Sequence, residues 1–390
     1  MMPVLLAGGN PKRMRPLNEG YHKFMLKISG NPIFFYPLSS LLQAAGQRVI
    51  LVVDREMQID WVKEFLREKN YAHVEVRVQP GESLEDAFLT ATKDVSDEWF
   101  LLVFGDVVAP PEALRMLMET YEESQRPSAL VIPRAEMSTY GVAYLSGMSI
   151  KKVYPGGDVG DSSFVLGGAF VLPVQFLELV ENGSGFFEAL NTVVDKMGMD
   201  AALWTGSWVA VDYPWDLISA LYEILGSSCK SVIHPGARVS PLAVLEGCVI
   251  VEEGAYIDHY AVVRGPAYIG RNVLVGKGAF VREYTSLEEG STVGAFSEVK
   301  RSVLEPSATA GSYSLIVDSV LGPYSVAEPR TTVISEIRGE KRIARPLPLQ
   351  GVLSKKRKLG VFVAPRGRIA AGSVVGPGVL IHGDGRVEEV

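Results

Sequence analysis

Aliphatic residues recur every six positions through the second half of the chain: Ile233, Val239, Leu245, Val251, Ile257, Val263, Ile269, Val275, Val281, Leu287, Val293 and Val299. With about a quarter of residues Val, Ile or Leu, chance would give such a run less than about once per several million starting frames. Two positions before each of these from Val239 on stands a small or β-branched residue, among them Ala237, Ala255, Ala267, Ala279 and Ser297. One inward aliphatic per six residues, with a small residue beside it, predicts a hexapeptide β-solenoid whose coils bury their apolar side chains only against one another. Strands of an ordinary sandwich alternate with period two and would not keep a six-residue beat. Three hexads close one triangular coil, so these twelve give about four coils. After Lys300 the beat breaks, and a second run in another phase follows at Val363, Ile369, Val375, Ile381 and Val387. The sequence between them carries Lys341, Arg342, Arg345 and the run Lys355-Lys356-Arg357-Lys358. Flat solenoid faces commonly pack in threes, so a homotrimer is expected.

The first 225 residues have a different rhythm. Val4 to Ala7, Val49 to Val53, Val74 to Val78, Phe100 to Phe104 and Ala129 to Ile132 read as short buried strands. Ile33 to Ala45, Ile59 to Lys69, Leu84 to Thr92 and Pro111 to Ser124 read as the helices between them. Alternating strands and helices predict an α/β domain with a helix-covered parallel sheet, which binds ligands at the carboxyl ends of its strands. The division expected from the patterns is 1–226 for this domain and 227–390 for the solenoid, with an inserted basic loop around 336–360.

Composition narrows the class. The chain has 390 residues, 47% hydrophobic and 21% charged, with a net charge of -7 that argues against a nucleic-acid surface. Cys229 and Cys248 are the only cysteines, too few for a disulfide framework or a zinc site, which fits a reducing cytoplasm. The opening MMPVLLAGG is too short for a signal peptide, and no run of about 18 apolar residues follows. A cytoplasmic protein with neither membrane nor nucleic-acid partners is expected.

Two strand ends carry chemistry. Gly8-Gly9-Asn10-Pro11-Lys12-Arg13 follows the first strand, and Gly105-Asp106 follows Phe100 to Phe104. Glycines let backbone amides approach a phosphate, an arginine fork grips its oxygens, and an aspartate can hold Mg2+. Each feature alone is more often a turn or a cap.

Together, LAGGNPKRMRPLN resembles the LAGGxGTRLxPLT signature of sugar-1-phosphate nucleotidylyltransferases, and PWDL (Pro214 to Leu217) and the hexapeptide repeat extend the likeness over nearly the whole chain. The chain is similar to archaeal two-domain enzymes of the N-acetylglucosamine-1-phosphate uridylyltransferase/glucosamine-1-phosphate acetyltransferase type. EVKRS at Glu298 to Ser302 resembles their EVKNS, and RKLGVFV at Arg357 to Val363 their RKLGAFI. The resemblance implies a Rossmann-like nucleotidyltransferase domain followed by a left-handed parallel β-helix. It also implies attack of a sugar-1-phosphate oxygen on the α-phosphorus of an NTP. By motif, Ala7, Gly8, Gly9, Lys12, Arg13 and Gly105 would bind the triphosphate, Lys23 would neutralise charge at the reacting phosphate, and Asp106 would ligate Mg2+. In the nucleotidyltransferase half, Gly168 falls in the sugar-binding strand; in the acetyl-CoA-dependent half, Arg282, Glu298 and Lys300 match substrate-contacting positions.

Departures from the pattern bear on activity. Pro11 replaces a loop glycine and removes an amide donor, with Lys12 as partial compensation. Ser83-Leu84-Glu85-Asp86-Ala87 stands where the family reads GTADA, and reads better as a helix capping box of Ser83 with Asp86. Val153-Tyr154-Pro155 and Leu166-Gly167-Gly168 replace sugar motifs. Ala210 occupies the second metal-carboxylate position, with Asp212 two residues on as a substitute on the same face of an extended strand. Ser312 stands where the acetyltransferase base histidine belongs, and the five histidines, His22, His73, His234, His259 and His382, lie elsewhere. Acetyl transfer is therefore not expected. Two readings follow: a sugar-1-phosphate nucleotidylyltransferase, or a catalytically degenerate relative acting as nucleotide-sugar sensor, regulatory subunit or scaffold.

Overall fold

The apolar segments of the first half become strands of one mixed sheet. A computed structural model describes residues 1–9, 12–46, 48–81, 83–93, 95–133, 141–156, 163–226, 229–336 and 358–389. The sheet strands are β1 (Met2–Ala7), β2 (Ile50–Val53), β3 (Glu75–Val78), β4 (Trp99–Phe104), β5 (Ser128–Ile132), β6 (Val142–Ser146), β7 (Ser149–Tyr154), β8 (Ser163–Pro173) and β9 (Asp200–Leu203). They lie in the order β3-β2-β1-β4-β8-β5-β9-β7-β6. The four strands β3, β2, β1 and β4 are mutually parallel. The chain builds outward from β1 through β2 to β3, then crosses to place β4 on the other side of β1. That reversal makes a crevice at the carboxyl ends of β1 and β4, where open α/β sheets take their ligands. Beyond β4 the sheet departs from an all-parallel one, because β8 runs antiparallel to both β4 and β5.

The helices fall where the periodicity put them. They are α1 (Phe35–Ala45), α2 (Ile59–Glu68), α3 (Leu84–Thr92) and α4 (Pro111–Ser124), followed by α5 (Val174–Glu181), α6 (Phe186–Met197) and α7 (Asp216–Gly226). Ser83 opens α3 with the expected capping box, accepting from the Asp86 amide while the Asp86 carboxylate receives the Ser83 amide. The core between sheet and helices is aromatic, with Phe88 packed edge-on to Phe176 at 5.1 Å and Phe176 to Phe186 at 5.4 Å.

The chain forms two compact units, residues 1–10 with 34–208 and residues 11–33 with 209–390. The division at 226 and 227 follows chain order; in packing, the segments 12–33 and 209–226 belong with the solenoid.

In the solenoid, three sheets of nine, seven and seven strands, parallel except for the antiparallel last strand of the nine, form the faces of a stacked parallel β-helix, the β-solenoid that the six-residue beat expects. Ile257, Val263, Ile269, Val275, Val281, Leu287, Val293 and Val299 are fully buried, as are the small residues Ala255, Ala261 and Ala267. The first coil departs from this, since Ile233 is 51% exposed: it has no preceding coil to cover it. The break after Lys300 is also resolved. Leu304, Ala310, Ile316, Leu321, Ala327 and Val333 continue the buried column, and register pairs Leu287 with Leu304 and Leu304 with Leu321. Each of these coils is one residue shorter, so the stack is continuous while the six-residue beat is lost. Buried serines bind the shortened coils together: the Ser297 Oγ accepts the Ser314 amide, and the Ser314 Oγ the Thr331 amide. The second run rejoins the same column as far as Ile381, with Val363 opposite Leu321 and Ile369 opposite Ala327, but Val387 does not: it is 63% exposed on a last strand that turns back antiparallel. Lys341, Arg342, Arg345, Lys355, Lys356 and Arg357 lie outside the described residues; Lys358 pairs with Glu336 at 3.1 Å.

The cysteines correct an expectation. Cys229 and Cys248 form a disulfide, with Cα atoms 6.0 Å apart and a sequence separation of 19. Two cysteines make no framework, but one turn of the coil sets such residues side by side, because Val232 pairs with Ile250 and Ile233 with Val251. No helix among the described residues is long and apolar enough to cross a membrane.

Ile269→Ala should cost about 2–5 kcal/mol in denaturant unfolding, as a cavity amid stacked coils, whereas Ile233→Ala should change stability by no more than about 0.5–1 kcal/mol. Cys248→Ser should lower stability by about 3 kcal/mol through the opened loop, with reductant reproducing the loss in the unmutated protein.

Candidate active site

Glycine is required on both sides of the crevice between β1 and β4. A Cβ on Gly8 would sit 2.1 Å from the Gln79 Oε1, and one on Gly105 would sit 2.8 Å from the Leu6 carbonyl oxygen. Gly9 adopts φ +83°, a left-handed conformation natural to glycine. The Gly105 amide donates to the Leu6 carbonyl at 2.8 Å, so the Gly105-Asp106 turn is pinned beside the end of β1 and Ala7 is fully buried beneath the loop. The structure thus brings Gly8, Gly9, Gly105 and Asp106 together at the switch point.

Gln79 belongs to this group and was not singled out from sequence. It follows β3, is 1% exposed, and donates through its Nε2 to the Gly81 carbonyl at 2.9 Å. Its Oε1 has no hydrogen-bond partner among the described residues, although it is buried against Gly8. A buried acceptor aimed at a glycine loop fits a ligand donor. The available signal was a long amide side chain closing a strand directly before Pro80-Gly81.

In the second unit, Lys23 stands in a short 3-10 turn, Lys23–Met25, opened by His22, whose Nδ1 accepts the Phe24 amide. Lys23 is 1% exposed; its ammonium lies 3.9 Å from the Asp212 carboxylate and over the Phe24 ring at 5.3 Å. A lysine buried to this degree needs an anion nearby, so its pairing with Asp212 is a charge arrangement rather than a solvated surface contact. Arg13 is half-buried in the turn Lys12–Met14, while Lys12 is exposed and Pro11 lies outside the described residues. Arg13 carries its charge near Tyr213: burial pushes the Tyr213 phenol up, and the Arg13 cation opposes that shift.

The expected extended strand through Asp212 is shorter than its motif suggests. It ends at Ala210, and the Asp216 carboxylate folds the chain by accepting the amides of Asp212 at 3.1 Å and Tyr213 at 2.8 Å. The aspartate of PWDL is therefore the side chain that fixes Asp212. Tyr213 and Trp215 stack on one another with ring centroids 4.9 Å apart.

Gly168 lies in an irregularity of β8, between Leu166 and Phe170 in the pairing with β5. Its φ is +72°, and a Cβ there would meet Val107 at 2.7 Å. The Trp208 indole donates to the Gly167 carbonyl at 2.9 Å, so the bulge is held from below.

On the solenoid, Arg282, Glu298 and Lys300 do come together, with Arg282 paired to Glu298 at 2.9 Å. Partial desolvation, then the neighbouring Arg301 and Arg282 charges, hold the Lys300 ammonium below its usual range. Ser312 occupies the corner where the likeness calls for a base. His259 is half exposed at another corner, its Nδ1 2.8 Å from Asp258.

Among the described residues no group of three or more His, Cys, Asp or Glu side chains is spaced to hold a metal ion. Asp106 and Asp212 are hard oxygen donors, and Mg2+ is commonly held by one or two carboxylates with substrate phosphates and water completing its shell. Each carboxylate by itself fits such an ion as one ligand.

Comparison with known proteins agrees with this layout. The chain is 24% identical over 313 residues to the bifunctional protein GlmU of Methanocaldococcus jannaschii, covering 78% of this chain and 73% of that protein. It is 23% identical over 316 residues to a bifunctional sugar-1-phosphate nucleotidylyltransferase/acetyltransferase of Sulfurisphaera tokodaii, covering 78% and 75%. A solved structure from Bacillus anthracis, assigned as a glucose-1-phosphate thymidylyltransferase, superposes on 56% of this chain and 93% of its own with TM-score 0.51 and 17% identity, a likeness of fold. The model of the MobA-like NTP transferase domain matches residues 3–234, which include both glycine turns, the buried lysine and the Asp216-capped turn, and the chain belongs to that family.

Proposed function

We propose that the protein transfers a nucleotidyl group from a nucleoside triphosphate to a sugar 1-phosphate, releasing pyrophosphate and an NDP-sugar. The observation that carries this reading is the placement of Gly8-Gly9 beside Gly105-Asp106 where the strand order reverses. In the step, an oxygen of the sugar phosphate attacks the α-phosphorus, a new phosphorus–oxygen bond forms, and the bond to the β-phosphate breaks. No covalent enzyme intermediate is required, so catalysis rests on positioning and on neutralising charge.

Each role follows from chemistry already described. The amides around Gly8 and Gly9, with the Arg13 guanidinium, bind the phosphates; Lys12 adds a flexible cation. Lys23 brings a buried positive charge, held ready by Asp212. Gln79 presents an acceptor for a donor on the nucleotide. Asp106 would hold Mg2+, which would supply charge stabilisation at the phosphates, and Asp212 is the second carboxylate that the likeness offers for it. The irregularity at Gly168 lets the backbone approach the sugar. Arg282, Glu298 and Lys300 are the remnant of an acyl-acceptor site; with Ser312 at the base position, acetyl-CoA is not used, and the solenoid serves assembly. Exposed apolar side chains on its outer faces, Tyr256, Leu274, Val244 and Val374 among them, favour a homotrimer. Phosphorylated, nucleotide-activated substrates favour a cytoplasmic setting.

A second reading, a degenerate relative that senses nucleotide-sugars, regulates an active subunit or acts as a scaffold, draws on one observation. Position 210 holds a buried alanine in place of a carboxylate, leaving Asp212, already facing Lys23, as the substitute.

Incubation with Mg2+, each common NTP and a panel of sugar 1-phosphates should release pyrophosphate; Asp106→Ala should abolish release and Lys23→Ala lower kcat by roughly 10²–10³. Nucleotide binding without turnover across the whole panel would favour the second reading. Pro11→Gly combined with Ala210→Asp should raise turnover by restoring an amide and a carboxylate, and an unchanged rate would show that neither position limits the site.

A further inference from the structure

Two glutamates of the solenoid lie out of reach of water. Glu288 and Glu305 are each fully buried, and they follow paired strands of successive coils, Leu287 being opposite Leu304. What covers them is the segment that carries Arg13 and Lys23. Both oxygens of Glu305 accept the Lys27 amide, at 3.0 and 3.2 Å. Glu288 accepts the Gly30 amide at 3.0 Å and the Ser286 hydroxyl, and the Ser286 Oγ in turn accepts the Ser29 amide at 3.0 Å. Three amides of the short hairpin Lys27–Pro32 are thus received by side chains of the solenoid.

The hairpin suits this contact. Ser29 and Gly30 turn it with φ of +51° and +82°, and a Cβ on Gly30 would sit 2.2 Å from the Tyr268 hydroxyl, which projects from the preceding coil. At the other end of the segment, the Glu19 carboxylate receives the Gly383 amide at 2.9 Å and meets the Nδ1 of the buried His382, in the last coil. Lys23 stands midway between Glu19 and Lys27. Its turn is tied to the hairpin by the Leu26 amide on the Lys23 carbonyl at 3.1 Å and the Ile33 amide on the Leu26 carbonyl at 3.0 Å.

We infer that Glu288 and Glu305 are positioning residues for nucleotidyl transfer: they fix the backbone of the segment that presents Lys23, so the solenoid sets the place of a phosphate-neutralising cation as well as serving assembly. This rests on the function proposed above. A merely cohesive contact could be apolar. Buried carboxylates cost desolvation, and what they add is direction, since each accepts a chosen amide at a chosen register.

The arrangement is also sensitive to protons. Burial pushes the Glu288 carboxyl up to about 7, and burial together with the Glu288 charge pushes Glu305 well above its usual range. The other titratable groups facing the pair among the described residues are Lys27, which opposes the shifts and whose ammonium lies 3.5 Å from Glu289, and Tyr21, which has Tyr324 beside it. The docked state therefore holds more protons than a released hairpin. Its stability is full below the ordinary glutamate range and is lost as pH rises toward and through 7.

The test separates holding from catalysis. Amide hydrogen exchange, corrected for intrinsic rates, is followed at Lys27, Ser29 and Gly30 and in the strand Leu274–Val275, alongside calorimetric titration with each common NTP and Mg2+. In the wild type, protection of the three hairpin amides should fall at least tenfold between pH 5.5 and 8.5, while Leu274–Val275 stays protected. The double variant Glu288→Gln/Glu305→Gln, which like the protonated acids keeps one carbonyl acceptor on each side chain, should lose that pH dependence and bind nucleotide as the wild type does at low pH. Glu305→Ala should raise exchange at Lys27 at least tenfold and weaken nucleotide binding at least tenfold, with Glu305→Gln restoring both. Undiminished nucleotide affinity in a variant whose hairpin amides exchange freely would overturn the inference, and so would pH-independent protection in the wild type. If the wild type binds no nucleotide at all, the proposed function fails, while the exchange arm still decides whether these carboxyls hold the segment.

Discussion

A single hexapeptide coil cannot bury its own inward side chain, and most of the second unit follows from that constraint. Ile269 is dry because the coils before and after it supply walls, and Ile233 is wet because one wall is missing. Stacking sets residues one coil apart side by side, and this accounts for features that otherwise look unrelated: the Cys229–Cys248 bridge, the serine relay from Ser297 to Thr331, and the paired glutamates 288 and 305. The stack tolerates loss of one residue per coil at a corner because the buried column and the amide ladder keep their register.

The sheet unit obeys a different constraint. Its crevice exists because the chain leaves β1 on one side and returns on the other, so two strand ends open toward the same space without a connection bridging them. Close approach there excludes side chains, hence Gly8 against Gln79 and Gly105 against the Leu6 carbonyl. The glycines are thus explained by packing on the protein side, and the proposed function adds a use for their amides on the ligand side. That double demand makes a turn of this kind informative where an isolated glycine pair is not.

Charge has been rearranged rather than removed. The chain lacks a loop glycine at Pro11 and a carboxylate at Ala210, yet it keeps a fully buried lysine, and Asp216 holds the following turn so that Asp212 faces that lysine. A buried ammonium is costly to keep without anions close to it, and its retention supports the proposal that the site takes anionic ligands.

Much of this was legible along the chain. The six-residue beat foretold the stacked coils, and the strands and helices up to Ser124 and Ile132 fell within a residue or two of their apolar patterns, because both periods are local consequences of backbone geometry. The capping box at Ser83 was legible for the same reason. The antiparallel placement of β8 was not, since a buried strand looks alike in either direction. Nor was the continuity of the coils beyond Lys300, where the period changed but the packing did not. Gln79 and the Glu288–Glu305 pair escaped notice because their roles depend on partners remote in sequence: Gly8 across the sheet and a hairpin more than two hundred residues earlier. Sequence by itself determined which segments could be coil, strand or helix and which strand ends carried glycine turns. Only the tertiary structure decided which charges are buried and what each one holds, because burial belongs to the assembled neighbourhood and no single stretch of chain contains it.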